Sequence, residues 1–158
     1  MTSHERTIKI EKIRLLPSLV EQAVSGLNDE QLDTCYRDGG WTVRQVVHHL
    51  ADSHMNAFVR MKLILTEECP QLKGYDQDAW AMLPDTMALP VGSSLGILSG
   101  LHERWAMLLG SVSETGWNRV GRHTERGDVT LESLLNTYAH HGEKHVGQIM
   151  NLRTVKGW

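Results

Sequence analysis

The sequence predicts an all-α protein, a four-helix bundle with a long loop between its second and third helices. Four long segments carry apolar residues at helical spacing, and loops rich in Gly, Pro and Asp separate them. No pair of segments has a convincing strand pattern. The 158 residues suit one domain of ordinary size, which we expect to span 1–158.

The first two helices follow from their apolar spacing and from the residues at their boundaries. The first is predicted over 7–26, where Pro17 either kinks the helix or occupies the first position of its main part. The second is predicted over 43–67, because Thr42 and Gln45 can form a capping box just ahead of an apolar run.

The other two long helices are predicted over 94–113 and from just after Thr130 to about Lys156. Two interior glycines leave the start of the third helix poorly defined, since glycine disfavours helix interiors. The fourth helix is expected to end at Gly157, because glycine is the residue that most often terminates a helix.

Two of the connections carry predictions of their own. The connection over 70–92 is long enough to cross the bundle, and a short helix is expected near 77–83. The connection over 118–128 is predicted to be a polar loop or a small hairpin.

Composition argues against several classes of function. A net charge of −3 speaks against nucleic-acid binding, which needs a concentrated basic surface. No apolar run approaches the roughly 20 residues that cross a bilayer, and the charged N-terminus lacks a signal-peptide core, so we expect no membrane association. Cys35 and Cys69 are the only cysteines, so we expect no disulfide framework and a cytoplasmic location.

Histidine is the unusual component, with nine residues in the chain. His141 and His145 are four residues apart on the fourth predicted helix, a spacing that lets two imidazoles hold one metal ion. At about 100° per residue, His145 falls within the apolar stripe, His141 at its edge and His140 on the opposite side. Because an unpaired buried imidazole costs stability, the pair is either ligating a metal or hydrogen-bonded in the core.

The second predicted helix offers three candidates for a third ligand. His54 lies within its apolar stripe, His49 flanks the stripe, and His48 projects to the far side, where we expect it on the surface. The helical wheel therefore favours His54 for burial, while either His49 or His54 could reach across the bundle.

Two motifs carry a resemblance to a known family. The stretches GGWTVRQVVHHLADSHMN and HHGEKHVGQI resemble the DinB superfamily, most closely its YfiT-like branch of metal-dependent hydrolases. The resemblance extends across nearly the whole chain and implies a four-helix bundle in which three histidines hold a divalent metal. By this match, the ligands correspond to His49, His141 and His145.

The resemblance also implies a function: a metal-dependent hydrolase that acts on a small molecule, with an open metal position that activates water. Zn²⁺ is the expected ion, and Ni²⁺, Fe²⁺ and Mn²⁺ are alternatives. Two other functions stay open, a thiol S-transferase that uses a low-molecular-weight thiol and a metal-binding stress-response bundle without turnover. The family resemblance further suggests a homodimer.

Polar residues near the histidine motifs have two interpretations each. Gln148, one turn beyond His145, either orients a ligand or is a structural amide, and Asp52 either holds a ring N–H or is a solvated carboxylate. Glu143 projects to the opposite flank of its helix, so we do not expect it to be the general base.

Four aromatic residues are candidates for packing or for substrate contact. Trp41 and Trp105 are interpreted as core packing, because large aromatic side chains dominate protein cores. Tyr75 and Trp80, which lie in the long connection, are better candidates for a substrate wall.

Overall fold

A computed structural model describes residues 1–158 and confirms the four-helix bundle. The long helices are α1 (Ser3–Val24), α3 (Val43–Thr66), α6 (Gly92–Gly110) and α7 (Leu131–Lys156). The connections contain the short helices α2 (Asp29–Leu32), α4 (Gln77–Ala81) and α5 (Pro84–Ala88) and the strands β1 (Gln71–Leu72), β2 (Val120–His123) and β3 (Gly127–Thr130). No helix combines the length and the apolar character that crossing a membrane requires.

Side-chain caps fix the starts of three of the long helices. Thr42 and Gln45 form the expected capping box, so α3 begins where the sequence predicts. α7 begins after a similar cap at Thr130, and it ends at Gly157 with a φ of 72°, as predicted. Thr2 caps α1, so this helix begins four positions before the predicted start.

Pro17 lies inside α1 and not at the start of a helix. Proline has no backbone N–H, so the carbonyl of Ile13, four residues earlier, loses its usual donor within the helix. His102 on α6 lies with its Nδ1 at 2.5 Å from this carbonyl oxygen. A side chain of the neighbouring helix therefore replaces the hydrogen bond that proline removes.

The order of the helices around the bundle determines which side chains can meet. α1 packs against α6 and α7, and α3 packs against the same two helices. α1 and α3 therefore occupy opposite corners, as do α6 and α7. Because α3 faces both α6 and α7, histidines on α3 can contact side chains of two other long helices.

The connection between α3 and α6 covers one face of α3. α4 occupies most of the predicted short helix, whereas α5 was not predicted. The Ala81 carbonyl accepts a hydrogen bond from Gln45 Nε2, and the Leu89 carbonyl accepts one from Arg44 Nη1. This face of α3 is therefore buried although no long helix packs on it.

The small sheet departs in part from the sequence prediction. β2 and β3 pair antiparallel with Val120 opposite Thr130, which confirms the hairpin alternative for 118–128. β1 pairs parallel with β2, with Leu72 opposite His123, and the sequence did not predict this pairing. A two-residue strand is too short to show the alternation that identifies strands.

Candidate metal centre

Three histidine side chains from α3 and α7 meet between these two helices. The Nε2 atom of His141 lies 3.2 Å from the Nε2 of His49 and 3.2 Å from the Nε2 of His145. One nitrogen of each ring lies within 4.8 Å of the other two. The structure thus brings together the three residues that the sequence motifs select, and we call them the three-histidine cluster.

Burial keeps these three imidazoles neutral. Burial, followed by repulsion from His145, lowers the pKa of His49 to about 3, and burial lowers the pKa of His145 to about 4. The pKa of His141 falls to about 2, through burial first and then through its two neighbours in the cluster. Since only a neutral imidazole can bind a metal, all three rings are in the ligating state near pH 7.

Gln148 orients one ring of the cluster. Its Oε1 accepts a hydrogen bond from Nδ1 of His145 at 2.8 Å. A neutral ring with its proton on Nδ1 has its lone pair on Nε2, the atom that faces His141. The structure therefore favours the orienting role for Gln148.

Asp52 does not hold a ring N–H of either histidine one turn earlier on α3. Its half-buried carboxylate has no hydrogen bond to His48 or His49. Burial, and then the nearby Asp85, raises the pKa of this carboxyl group. Asp52 is therefore neither a ring partner nor a fully solvated carboxylate.

The remaining histidines of α3 and α7 test the helical-wheel argument. His54 is fully buried and His140 is exposed, as predicted. The prediction that His48 lies on the surface is wrong, because the ring is 5% exposed and contacts Ser94 Oγ at 2.7 Å and the Leu89 carbonyl at 2.9 Å. The chain around Leu89 and the start of α6 cover this side of α3, and a wheel of one helix cannot show that cover.

One cavity opens directly onto the cluster. This Trp41 cavity has a volume of about 360 Å³, and its walls include Trp41, His49 and His145. The centroid of the Trp41 ring lies 4.6 Å from that of His49 and 6.5 Å from that of His145, on which it stacks. Trp41 therefore borders the site as well as packing against the core, whereas Trp105 is fully buried, as interpreted from the sequence.

A second cavity lies against His141 and next to the first. This Arg60 cavity has a volume of about 350 Å³, and its walls include Ser53, Arg60, Tyr75 and Tyr138. The Arg60 guanidinium donates hydrogen bonds to the Tyr138 hydroxyl at 3.3 Å and to the Lys73 carbonyl. Periodicity alone could not single out Arg60, because its partners lie on distant parts of the chain.

The other candidates from the sequence have clear positions. Tyr75 lines the Arg60 cavity, and Trp80 packs against Tyr75 with ring centroids 4.4 Å apart. Glu143 forms an ion pair with Lys12 at 2.6 Å, so it projects away from the cluster, as predicted. The two cysteines are unpaired and exposed.

The chemistry of the donor set fits a small divalent ion. Nitrogen ligands at 2.0–2.1 Å from a tetrahedral Zn²⁺ are about 3.4 Å apart, which is close to the 3.2 Å that separates His141 Nε2 from each of the other two Nε2 atoms. The cluster contains no carboxylate, so its donors are uncharged. Three such ligands would leave at least one metal position for solvent or substrate.

Fold and cluster together define a four-helix bundle with a candidate metal centre between two of its long helices. The family model of the DinB superfamily matches residues 13–149. The chain belongs to this superfamily.

Several relatives and one solved structure support this assignment. A protein of Geobacillus kaustophilus is 51% identical over 150 residues, which cover 94% of this chain and 84% of the relative, and one of Oceanobacillus iheyensis is 48% identical over 149 residues, or 94% and 86%. Both carry the name "Putative metal-dependent hydrolase". The solved structure is YfiT from Bacillus subtilis, described as a "probable metal-dependent hydrolase with an unusual four-helix bundle topology". It matches with a TM-score of 0.97 and 42% identity over 100% of this chain and 91% of that one.

Proposed function

We propose that this chain is a metal-dependent hydrolase in which His49, His141 and His145 hold one divalent ion. The observation that carries the proposal is the convergence of three neutral Nε2 atoms beside two cavities. The names of the relatives support the same class of activity.

The ion would contribute what the side chains lack. A divalent cation on three neutral imidazoles supplies Lewis acidity, which acidifies water and polarises a carbonyl or phosphoryl oxygen. We propose Zn²⁺ first, with Ni²⁺, Fe²⁺ and Mn²⁺ as alternatives, because imidazole is a suitable ligand for all four.

The protein's own residues would orient the metal ligands and bind the substrate. Gln148 holds the His145 ring by its Nδ1–H, and Trp41 limits the access of water to one side of the cluster. The Arg60 cavity is lined mostly by polar side chains, including the Ser53 and Tyr75 hydroxyls. It would accommodate a small polar substrate next to His141.

A substrate screen of the metal-loaded protein tests this proposal. Esters, amides and electrophilic acceptors would be assayed with and without a low-molecular-weight thiol, and we expect turnover of an ester or amide without thiol. His49→Ala should abolish the turnover, whereas His140→Ala, an exposed position on α7, should retain it.

Two other outcomes would replace the proposal. Turnover that requires the thiol would identify a thiol S-transferase. Metal binding without turnover across the whole panel would indicate a non-catalytic metal-binding stress-response bundle.

We also propose that the chain forms a homodimer. Ile8, Leu15 and Leu19 recur at spacings of seven and four residues on α1, and each is at least 39% exposed. Light scattering should give twice the 17.8 kDa of one chain. A mass near that of a single chain at micromolar concentration would contradict the dimer.

A further inference from the structure

A chain of hydrogen-bonded side chains leads from the three-histidine cluster into the core. Nδ1 of His141, on the side of the ring away from the cluster, lies 3.1 Å from Nε2 of His54. Nδ1 of His54 lies 2.9 Å from Nε2 of His102. Nδ1 of His102 lies 2.5 Å from the carbonyl oxygen of Ile13. Three imidazoles from α3, α6 and α7 are thereby joined to one backbone oxygen of α1.

The backbone oxygen of Ile13 determines which atom is the donor in each of these hydrogen bonds. A carbonyl oxygen only accepts hydrogen bonds, so Nδ1 of His102 must carry a proton. The oxygen is available because Pro17 has no N–H with which to bond it. The interior proline of α1 and the anchoring of His102 are two aspects of the same contact.

Each of the three imidazole rings, His141, His54 and His102, carries a single N–H proton. His54 and His102 are both fully buried, and none of the ion pairs of the protein includes a histidine. A buried imidazolium without a carboxylate partner would be costly, so the neutral ring is the stable form. A neutral imidazole donates through one nitrogen and accepts through the other.

The tautomers then follow in sequence from the carbonyl. His102 donates through Nδ1, so its Nε2 accepts and Nδ1 of His54 is the donor. Nε2 of His54 must in turn accept, so Nδ1 of His141 is the donor. The lone pair of His141 is therefore on Nε2, the atom that faces His49 and His145.

We propose that His102 and His54 are positioning residues that fix His141 in the tautomer with a free Nε2. This inference rests on the proposed function, because a fixed lone pair serves the site only if the cluster binds an ion. Gln148 imposes the same tautomer on His145. Two lone pairs thus face each other across 3.2 Å, an arrangement that a cation between them would relieve.

Substitution of His102 separates this positioning role from simple packing. His102 has no hydrogen bond to any residue of the three-histidine cluster. His102→Met removes the acceptor for His54 and fills the same space with an apolar side chain of similar length. His54 is then free to donate through Nε2, which would force His141 to place its proton on the Nε2 that faces the cluster. His102→Gln is the matched rescue, since its amide can accept from His54 and donate to Ile13.

The experiment measures imidazole tautomers by ¹⁵N NMR in the apo-protein and the Kd for Zn²⁺ by competition with a chelator. We expect His141 to be protonated on Nδ1 in the wild type and in His102→Gln, and on Nε2 in His102→Met. The Kd should rise about 10- to 100-fold in His102→Met and stay unchanged in His102→Gln. Leu109→Ala, a buried position two turns along α6, controls for loss of stability and should leave both readouts unchanged.

Three results would overturn the proposal. These are a wild-type His141 protonated on Nε2, an unchanged Kd in His102→Met, and an equal loss of affinity in His102→Gln. If His102→Met does not fold, the wild-type tautomer and the His102→Gln variant still decide. A wild-type protein that binds no divalent ion would overturn the proposed function and with it the positioning role, whereas the apo-protein spectrum would still report the direction of the chain.

Discussion

Each histidine of α3 has different neighbours, and these neighbours determine what its substitution costs. His49 meets two other imidazoles, His54 bridges two rings, and His48 bonds to Ser94 Oγ and to the Leu89 carbonyl. The three histidines of one helix therefore have separate roles. His49 and His54 lie around the candidate metal centre, whereas His48 holds the α3–α6 connection.

His48→Ala should lower the free energy of unfolding by about 1–3 kcal/mol, because it leaves the buried Ser94 hydroxyl without its partner and the Leu89 carbonyl with only its hydrogen bond from Arg44. Its metal content should not change. His140→Ala is the control, since an exposed position should change stability by less than about 0.5 kcal/mol. Urea unfolding of the two variants is the measurement, and equal midpoints would show that the His48 contacts contribute nothing.

At this scale the sequence predicted the members of the cluster but not their surroundings. A motif indicates His49 as the ligand and the helical wheel favours His54 for burial, and both side chains are buried. His102 lies on the apolar side of α6, so the wheel used for the other helices would have identified it as a buried histidine. The cover over His48 comes from a connection whose position depends on tertiary contacts.

At the scale of single elements, α7 carries two glycines in different settings. A Cβ on Gly142 would lie 2.5 Å from Leu16 Cδ2 of α1, whereas a Cβ on Gly147 would meet nothing within 4 Å. Gly142 therefore permits the close approach of α1 to the part of α7 that carries His141 and His145.

Gly142→Ala should destabilise the protein by about 1 kcal/mol or more, because the overpacking of Leu16 outweighs the gain in helix propensity. Gly147→Ala is the matched control and should stabilise the protein by about 0.5–1 kcal/mol. Thermal unfolding of both variants checks the pair, and a stabilised Gly142→Ala would show that the two helices are not in tight contact there.

The long helices could be predicted because their start and stop signals are local. The capping pair of Thr42 and Gln45 and the terminal Gly157 each act within a few residues, and both boundaries were correct. The β1–β2 pairing depends on residues far apart in the chain, so no local pattern could predict it. The start of α1 was missed because its first turns are rich in charged residues and show little apolar spacing.

At the scale of the whole molecule, the diagonal arrangement of the helices gathers five histidines, four of them buried and His141 half-buried, into one group of contacting rings. His49 and His54 come from α3, His102 from α6, and His141 and His145 from α7. Placing α1 and α3 on adjacent corners would separate these residues. The order of the helices around the bundle therefore places the three-histidine cluster next to His54 and His102.

This group makes the apo-protein sensitive to acid. Burial holds the pKa of His102 and of His145 at about 4 and that of His49 at about 3, below the value near 6.5 of an unfolded chain. Below pH 6.5 the unfolded chain therefore binds more protons than the folded protein, and stability falls until the folded pKa values are reached. Each such histidine contributes up to about 1.4 kcal/mol per pH unit in this range.

We expect the urea midpoint of the apo-protein to fall steeply between pH 7 and pH 5. Urea titrations monitored by circular dichroism at several pH values provide the measurement. A midpoint that is constant over this range would mean that these histidines titrate with the same pKa in the folded and the unfolded protein.

The central claim is that His49, His141 and His145 together hold one divalent ion. Elemental analysis of purified, metal-loaded variants tests it most directly. The wild type, His48→Ala and His140→Ala should each contain one ion per chain, whereas His49→Ala, His141→Ala and His145→Ala should contain little or none. Full metal content in any of the last three, or its loss in His48→Ala, would contradict the assignment of the centre.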